Sequence, residues 1–173
     1  MRSFAASRSL RLALAILAGV VLVSSAIHPF GPVKNSEREE PEALELMPPE
    51  VKAVIQRSCA DCHSSRTSWP WYSYVAPTSW LVERDVRHGR NEMNFSHWSQ
   101  YGSTEQEKLL AKIATVVKNH EMPLPQYTLI HRDAKLTDAD TDILYQWARR
   151  ERRKLRAEFL RREYPTGGMS IAR

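Results

Sequence analysis

The chain has 173 residues, 42% of them hydrophobic, and carries a formal net charge of +5. That length fits one domain with accessory segments and excludes two ordinary domains. Two cysteines exclude a disulfide-stapled scaffold, and ten prolines against six glycines favour helices joined by stiff loops over a sheet. The charge is unevenly placed: Glu37, Glu39, Glu40, Glu42 and Glu45 form an acidic stretch, and the run from Arg149 to Arg162 is mostly basic.

Arg2, Arg8 and Arg11 precede an unbroken apolar run from Leu12 to Val23, which continues through Ser24, Ser25 and Ala26 to Ile27. A basic start followed by an apolar core is the pattern of an export sequence whose charged end stays in the cytoplasm. Residues 1–27 are therefore expected to be a signal peptide or a membrane anchor. The run is longer than a cleaved signal needs and near the about 20 residues that span a bilayer. Ser24 and Ala26 have the small-residue spacing for cleavage after Ala26, so the sequence suits both fates equally. Either fate puts the rest of the chain on the exported, periplasmic side of the cytoplasmic membrane. Residues 28–48 are rich in Pro and Glu, lack helical periodicity, and read as a linker.

The folded domain is expected over 49–150. Pro48 and Pro49 suit the first turn of a helix that runs to about Ser58, with Val51, Val54 and Ile55 on one face. From Thr67 to Trp80 the chain is dense in aromatics and broken by Pro70 and Pro77, which predicts an ordered aromatic loop. Thr78 is placed to cap a short helix from Ser79 to His88 that Gly89 would end. Irregular structure is expected through Asn94, Phe95, Ser96 and Trp98.

Ser103 and Gln106 have capping-box spacing ahead of a helix whose stripe is Leu109, Leu110, Ile113, Val116 and Val117, ending near Asn119. The segment His120 to Pro125 cannot stay helical, because Pro123 and Pro125 follow closely. Thr137 and Asp140 open a last helix with Ile143, Leu144, Trp147, Phe159 and Leu160 as its buried residues. The basic extension 151–173 reads as a solvated helix, with a docking surface as the alternative. The fold class is all-α, with four helices separated by ordered loops.

Cys59-Ala60-Asp61-Cys62-His63 is the C-x-x-C-H pattern of covalent haem attachment. Two thiols a helical turn apart reach the two vinyl groups on one porphyrin edge, and the next residue sets an imidazole beneath the iron. A redox dithiol of the thioredoxin type needs a surrounding βαβ pattern, and structural zinc needs a second Cys/His cluster; the sequence supplies neither. For the sixth iron position Met122 is the leading candidate. It stands in a proline-fixed loop roughly 60 residues beyond His63, and Met with His is a common c-type ligand pair. A thioether favours ferrous iron and raises the potential. Rivals are Met93, His88, His97, His131 and above all His120. Trp69, Trp71, Tyr72, Tyr74 and Trp80 are expected to wall the porphyrin, and Arg66, Arg90 and Asn94 to meet its propionates.

With these residues, His88-Gly89-Arg90, Asn94-Phe95-Ser96, Trp98, Met122-Pro123 and Leu136 to Trp147, the chain resembles the bacterial haem-binding domain proteins, small exported relatives of class I cytochromes c. The resemblance covers about Pro48 to Arg150; the W-P-W-Y and N-F-S stretches are its distinctive parts. It implies a class I cytochrome c-like fold around one covalent haem c, with the first and last helices crossing beside it. It also implies His63 as proximal ligand and Met122 as distal ligand. The arginine-rich tail beyond Trp147 departs from a minimal cytochrome.

The function expected is electron transfer with a redox partner protein on the exported side of the membrane. The alternative is a haem-based ligand sensor or peroxidase-like protein with an exchangeable distal ligand. A third reading uses Cys59 and Cys62 as a bare dithiol. No dedicated catalytic constellation is visible, which favours a carrier over an enzyme, and nothing calls for nucleic acid.

Overall fold

A computed structural model describes residues 8–30 and 41–164, and every element among them is helical. Arg2, the linker residues Glu37, Glu39 and Glu40, and the end of the basic extension from 165 onward lie outside the described residues.

The first element, α1 (Arg8–Ser25), is long and apolar enough to cross a membrane by length and composition, and none of its residues is buried. The expected linker then contains an element of its own. A single turn, α2 (Glu42–Glu45), buries Ala43 and Leu44 and packs on the segment Phe95–Gln100. Two adjacent apolar residues give no periodic signal; the turn is held by their burial and by the Ser99 N–H, which donates to the Glu42 carboxylate at 3.3 Å.

Pro49 occupies the first turn of α3 (Pro49–Ser58), where a missing N–H costs nothing. Val51, Val54, Ile55 and Ser58 fall at helical spacing and are all buried. Each large side chain buried here contributes about 1.5–3 kcal/mol. The helix breaks at Cys59 and resumes as the one-turn α4 (Ala60–His63).

The aromatic segment contains a 3-10 turn, Trp71–Tyr74, and leads into α5 (Thr78–Glu92). Here the structure corrects two expectations. Pro77 holds the cap position and Thr78 makes no capping bond; and Gly89 lies inside the helix, which continues to Glu92. A further 3-10 segment, Phe95–Gln100, replaces the irregular stretch expected there, with the Asn94 side chain accepting from the Ser96 N–H at 2.9 Å.

In α6 (Ser103–Lys118) Gly102 is the cap residue and no side-chain cap forms; Gln106 instead donates to the Trp98 carbonyl at 3.0 Å. Its inner face is Leu110, Ile113, Ala114 and Val117. Pro125 starts a short helix that the sequence did not announce, α7 (Pro125–Ile130), and a 3-10 turn follows at Arg132–Ala134. The last helix, α8 (Asp138–Glu163), opens with the expected capping box: the Asp140 N–H donates to the Thr137 hydroxyl, and the Thr137 N–H donates to the Asp140 carboxylate.

The helices α6 and α8 form the main packed pair, and α3 lies against α8. Leu144 and Trp147 of α8 join Val51, Val54 and Ile55 of α3, Leu110, Ile113 and Val117 of α6, and Phe95 in one core. Phe159 and Leu160 do not: they are 52% and 54% exposed, because α8 has by then run past the elements it packs on.

Candidate functional site

The five-residue motif is shaped by the break at Cys59. Its backbone (φ −130°, ψ −35°) ends α3, its N–H still donates to the Ile55 carbonyl at 2.9 Å, and its own carbonyl accepts from Cys62 and His63 at 3.2 and 3.0 Å. Cys59 and Cys62 are thus one tight turn apart and form no disulfide with each other.

Helix α5 is pressed against this turn at Gly89. A Cβ there would lie 2.6 Å from the Cys62 carbonyl oxygen and 3.1 Å from the Cys62 Cβ. Only a residue without a side chain lets the two backbones approach so closely.

The loop leaving the motif is pinned throughout. Arg90 donates through Nε to the Ser64 carbonyl at 2.7 Å and through its guanidinium to the Thr67 hydroxyl at 3.0 Å. The Asn94 amide donates to the Ser65 hydroxyl, the Ser65 N–H to the Ser96 hydroxyl, and the Thr67 hydroxyl to the Asp61 carbonyl. Arg90 and Asn94 therefore fix the loop, of which Arg66 is an exposed residue, and none of the three lines the cavity beside the motif.

His63 is held by its surroundings. Its Nδ1 lies 3.1 Å from the Met93 carbonyl oxygen, and its ring meets Phe95 edge-on with centroids 6.5 Å apart. A carbonyl only accepts, so Nδ1 carries the proton and Nε2 presents a lone pair. Burial lowers the imidazole's pKa, while the Met93 and Gly89 carbonyls act the other way, and the net shift favours the neutral ring. Burial also pushes both thiols up to about 12, helped by the neighbouring Cys62 for Cys59 and by Asp61 and Asp85 for Cys62.

Cys59, Cys62, His63 and Met122 all line one cavity of about 600 Å³. Its walls are mostly apolar: Ile55 from α3, Met93 after α5, Leu109, Ile113, Val116 and Val117 from α6, Leu124 from the following loop, and Leu144 from α8. Volume and lining are those of a site for a cofactor-sized molecule. Polar side chains in the wall include His88 and the charged Arg84, Asp85, Glu92 and Lys112, with Arg84 bound to Asp85 at 2.8 Å and Lys112 paired with Glu92. Among the described residues no group of three or more His, Cys, Asp or Glu side chains is placed to hold a bare metal ion.

Met122 reaches the cavity because of how α6 ends. The His120 N–H donates to the Val117 carbonyl and the Glu121 N–H to the Val116 carbonyl, with His120 at φ 56°. This paired closure is the Schellman arrangement, and its left-handed residue reverses the chain just before Met122. His120 is thereby turned away, toward a separate cavity with Lys118, Asp138 and Asp142. Of the other rival ligands, His97 lies 3.2 Å from the Ser65 hydroxyl and His131 2.5 Å from the Tyr72 hydroxyl, both outside the cavity. Met93 and His88 do line it.

The expected aromatic wall is not there. None of Trp69, Trp71, Tyr72, Tyr74 and Trp80 lines the cavity, and Trp71 and Tyr74 are 79% and 66% exposed. The aromatic residue in the wall is Tyr127 of α7, whose hydroxyl donates to Asp61 at 2.8 Å. Burial, then the Asp61 carboxylate, raises the phenol's pKa and keeps it a neutral donor.

Fold and site together define a small all-α protein whose elements converge on one apolar cavity, with a neutral imidazole and two thiols in its wall. The chain belongs to the haem-binding domain family, whose model matches residues 20–150, and it is a haem-binding protein. The match begins inside α1, well before the Pro48 expected from the motifs. No curated protein and no solved structure matches the chain.

Proposed function

We propose that the chain holds one haem c, joined covalently through Cys59 and Cys62, and carries electrons on the exported side of the membrane. His63 would hold the iron through Nε2, and Met122 would be its second protein ligand. The observation that carries this reading is the His63 Nδ1 contact to the Met93 carbonyl, beside two thiols in the wall of the same cavity as Met122. A metal-binding imidazole is generally oriented in this way, by a bond from its other nitrogen to a fixed acceptor. A haem held by an imidazole and a thioether would supply a one-electron centre.

The protein's own contribution is to fix the ligand geometry and keep water out. Gly89, Phe95 and the Met93 carbonyl hold His63 and Cys62; Leu109, Val116 and Leu124 supply apolar cover. Arg84 and Lys112, paired in the cavity wall with Asp85 and Glu92, are the cations that would turn to the haem propionates.

Visible spectra of the exported holoprotein, oxidised and reduced, test the carrier reading. A sharp low-spin reduced spectrum unchanged by carbon monoxide supports it. A high-spin spectrum, or ready carbon monoxide binding, replaces it with ligand sensing or peroxide chemistry.

A further inference from the structure

The end of α1 is joined to the domain by three contacts. The Ala76 N–H donates to the Ser25 hydroxyl at 2.9 Å, and the Trp80 indole N–H donates to the Ile27 carbonyl at 2.8 Å. His28 Nδ1 lies 2.5 Å from Glu83 Oε1. Glu83 is only 5% exposed, and its other carboxylate oxygen has no hydrogen-bond partner among the described residues, so His28 is the partner that justifies its burial. Ser25 also donates to the Val21 carbonyl at 2.7 Å, which ties the latch to the helix itself.

Beside this latch the domain exposes a cluster of large apolar side chains. Trp71 is 79% exposed, Tyr74 66%, Val75 40% and Leu81 38%, on the same stretch of chain that receives Ser25, Ile27 and His28. In water such a surface is unfavourable, whereas Trp and Tyr are the residues that settle at the headgroup level of a bilayer. The helix that leads to it has 18 residues. At 1.5 Å per residue it is about 27 Å long, close to the hydrocarbon thickness of a bilayer. Arg8 and Arg11 mark the opposite, cytoplasmic end. Cleavage after Ala26 would separate Ser25 from Ile27 and split the latch, and the family match already starts at residue 20.

We infer that α1 is retained as an anchor and that the latch seats the domain directly on the lipid surface, with Trp71 and Tyr74 in the headgroup layer. The occupant of the aromatic surface is the bilayer itself. The domain then holds a fixed height and tilt against the membrane instead of hanging from a linker at 28–48. The cavity residues take no part in this contact, so the inference stands apart from the identity of the iron ligands.

The test uses the full holo chain in its native membrane. Intact mass should show residues 1–26 still present; a mature chain beginning at Ile27 overturns the inference. A photoreactive benzoylphenylalanine is then placed at position 71, 74 or 159 in separate preparations, Phe159 being an exposed apolar site on α8. Irradiation should give phospholipid adducts at 71 and 74, severalfold above the yield at 159. Equal yields at all three positions, or adducts to a protein in place of lipid, would contradict it. Ser25→Ala combined with His28→Ala should lower the lipid adducts at 71 and 74 severalfold while leaving the haem spectrum unchanged. Undiminished adducts in that variant would remove the latch.

Discussion

Gly89 of α5 lies so close to Cys62 that a methyl group on it would stand 2.6 Å from the Cys62 carbonyl oxygen. The contact is to backbone, so relief requires moving either α5 or the turn that carries both thiols and His63. Overpacking of this kind costs about 1–3 kcal/mol. Gly89→Ala should therefore lower the urea midpoint and the yield of haem-loaded protein together. A variant with unchanged midpoint and full loading would show that the turn yields without cost.

Met122 and Met93 both line the cavity, and they are separable by what each supplies. Met122→Ala should leave haem attached and open the iron to carbon monoxide. Met93 is 9% exposed, and it is its carbonyl, not its side chain, that orients His63. Met93→Ala keeps that carbonyl, so it should lower stability by about 2 kcal/mol, at the small end for a buried methionine, with the ligand field intact. Carbon monoxide binding to the Met93 variant and not to the Met122 variant would reverse the assignment.

His120 occupies the left-handed position of the α6 closure, at φ 56°. Glycine adopts that conformation without the Cβ penalty of about 1 kcal/mol. His120→Gly should hold or raise the thermal midpoint and leave the visible spectrum unchanged. A changed ligand field would restore His120 as an iron ligand.

Asp140 closes the α8 capping box and pairs with Arg57 of α3 at 2.8 Å. Burial alone would raise its pKa, but the Thr137 N–H and hydroxyl and the Arg57 guanidinium outweigh that and hold it below the usual carboxylate range. A carboxyl whose folded pKa is depressed stabilises the fold above its unfolded pKa, and that stability is lost as pH falls through the folded value. The stability gap between wild type and Asp140→Asn should be full at neutral pH and close below the ordinary carboxylate range. A gap independent of pH would contradict this. Thr137→Ala, which removes the cap itself, should cost about 1 kcal/mol.

What the sequence made legible was local. The Cys59 to His63 spacing, the α3 stripe, the Thr137–Asp140 box and the prolines just after Met122 are each carried within a few residues, and each matches an element or a cavity position in the structure. Gly89 illustrates the limit. A glycine after a helical stretch signals a helix end as readily as a close approach, and only the position of Cys62 across the fold decides between them. Arg90 and Asn94 were polar residues of the right type whose partners turned out to be the loop 64–67. Tyr127 had no local signal, since its role depends on Asp61, 66 residues earlier. The aromatic run from Trp69 to Trp80 lines no part of the cavity: Trp80 meets the end of α1, Tyr72 meets His131, and Trp71 and Tyr74 are exposed.

Covalent haem at Cys59 and Cys62 is read from the intact mass of the denatured exported chain, with a haem stain of the same denaturing gel band. The wild type should show a mass raised by one haem and a stained band, both lost in the Cys59→Ala, Cys62→Ala double variant. A wild-type chain that sheds its haem on denaturation, after expression with the attachment machinery, would contradict covalent attachment.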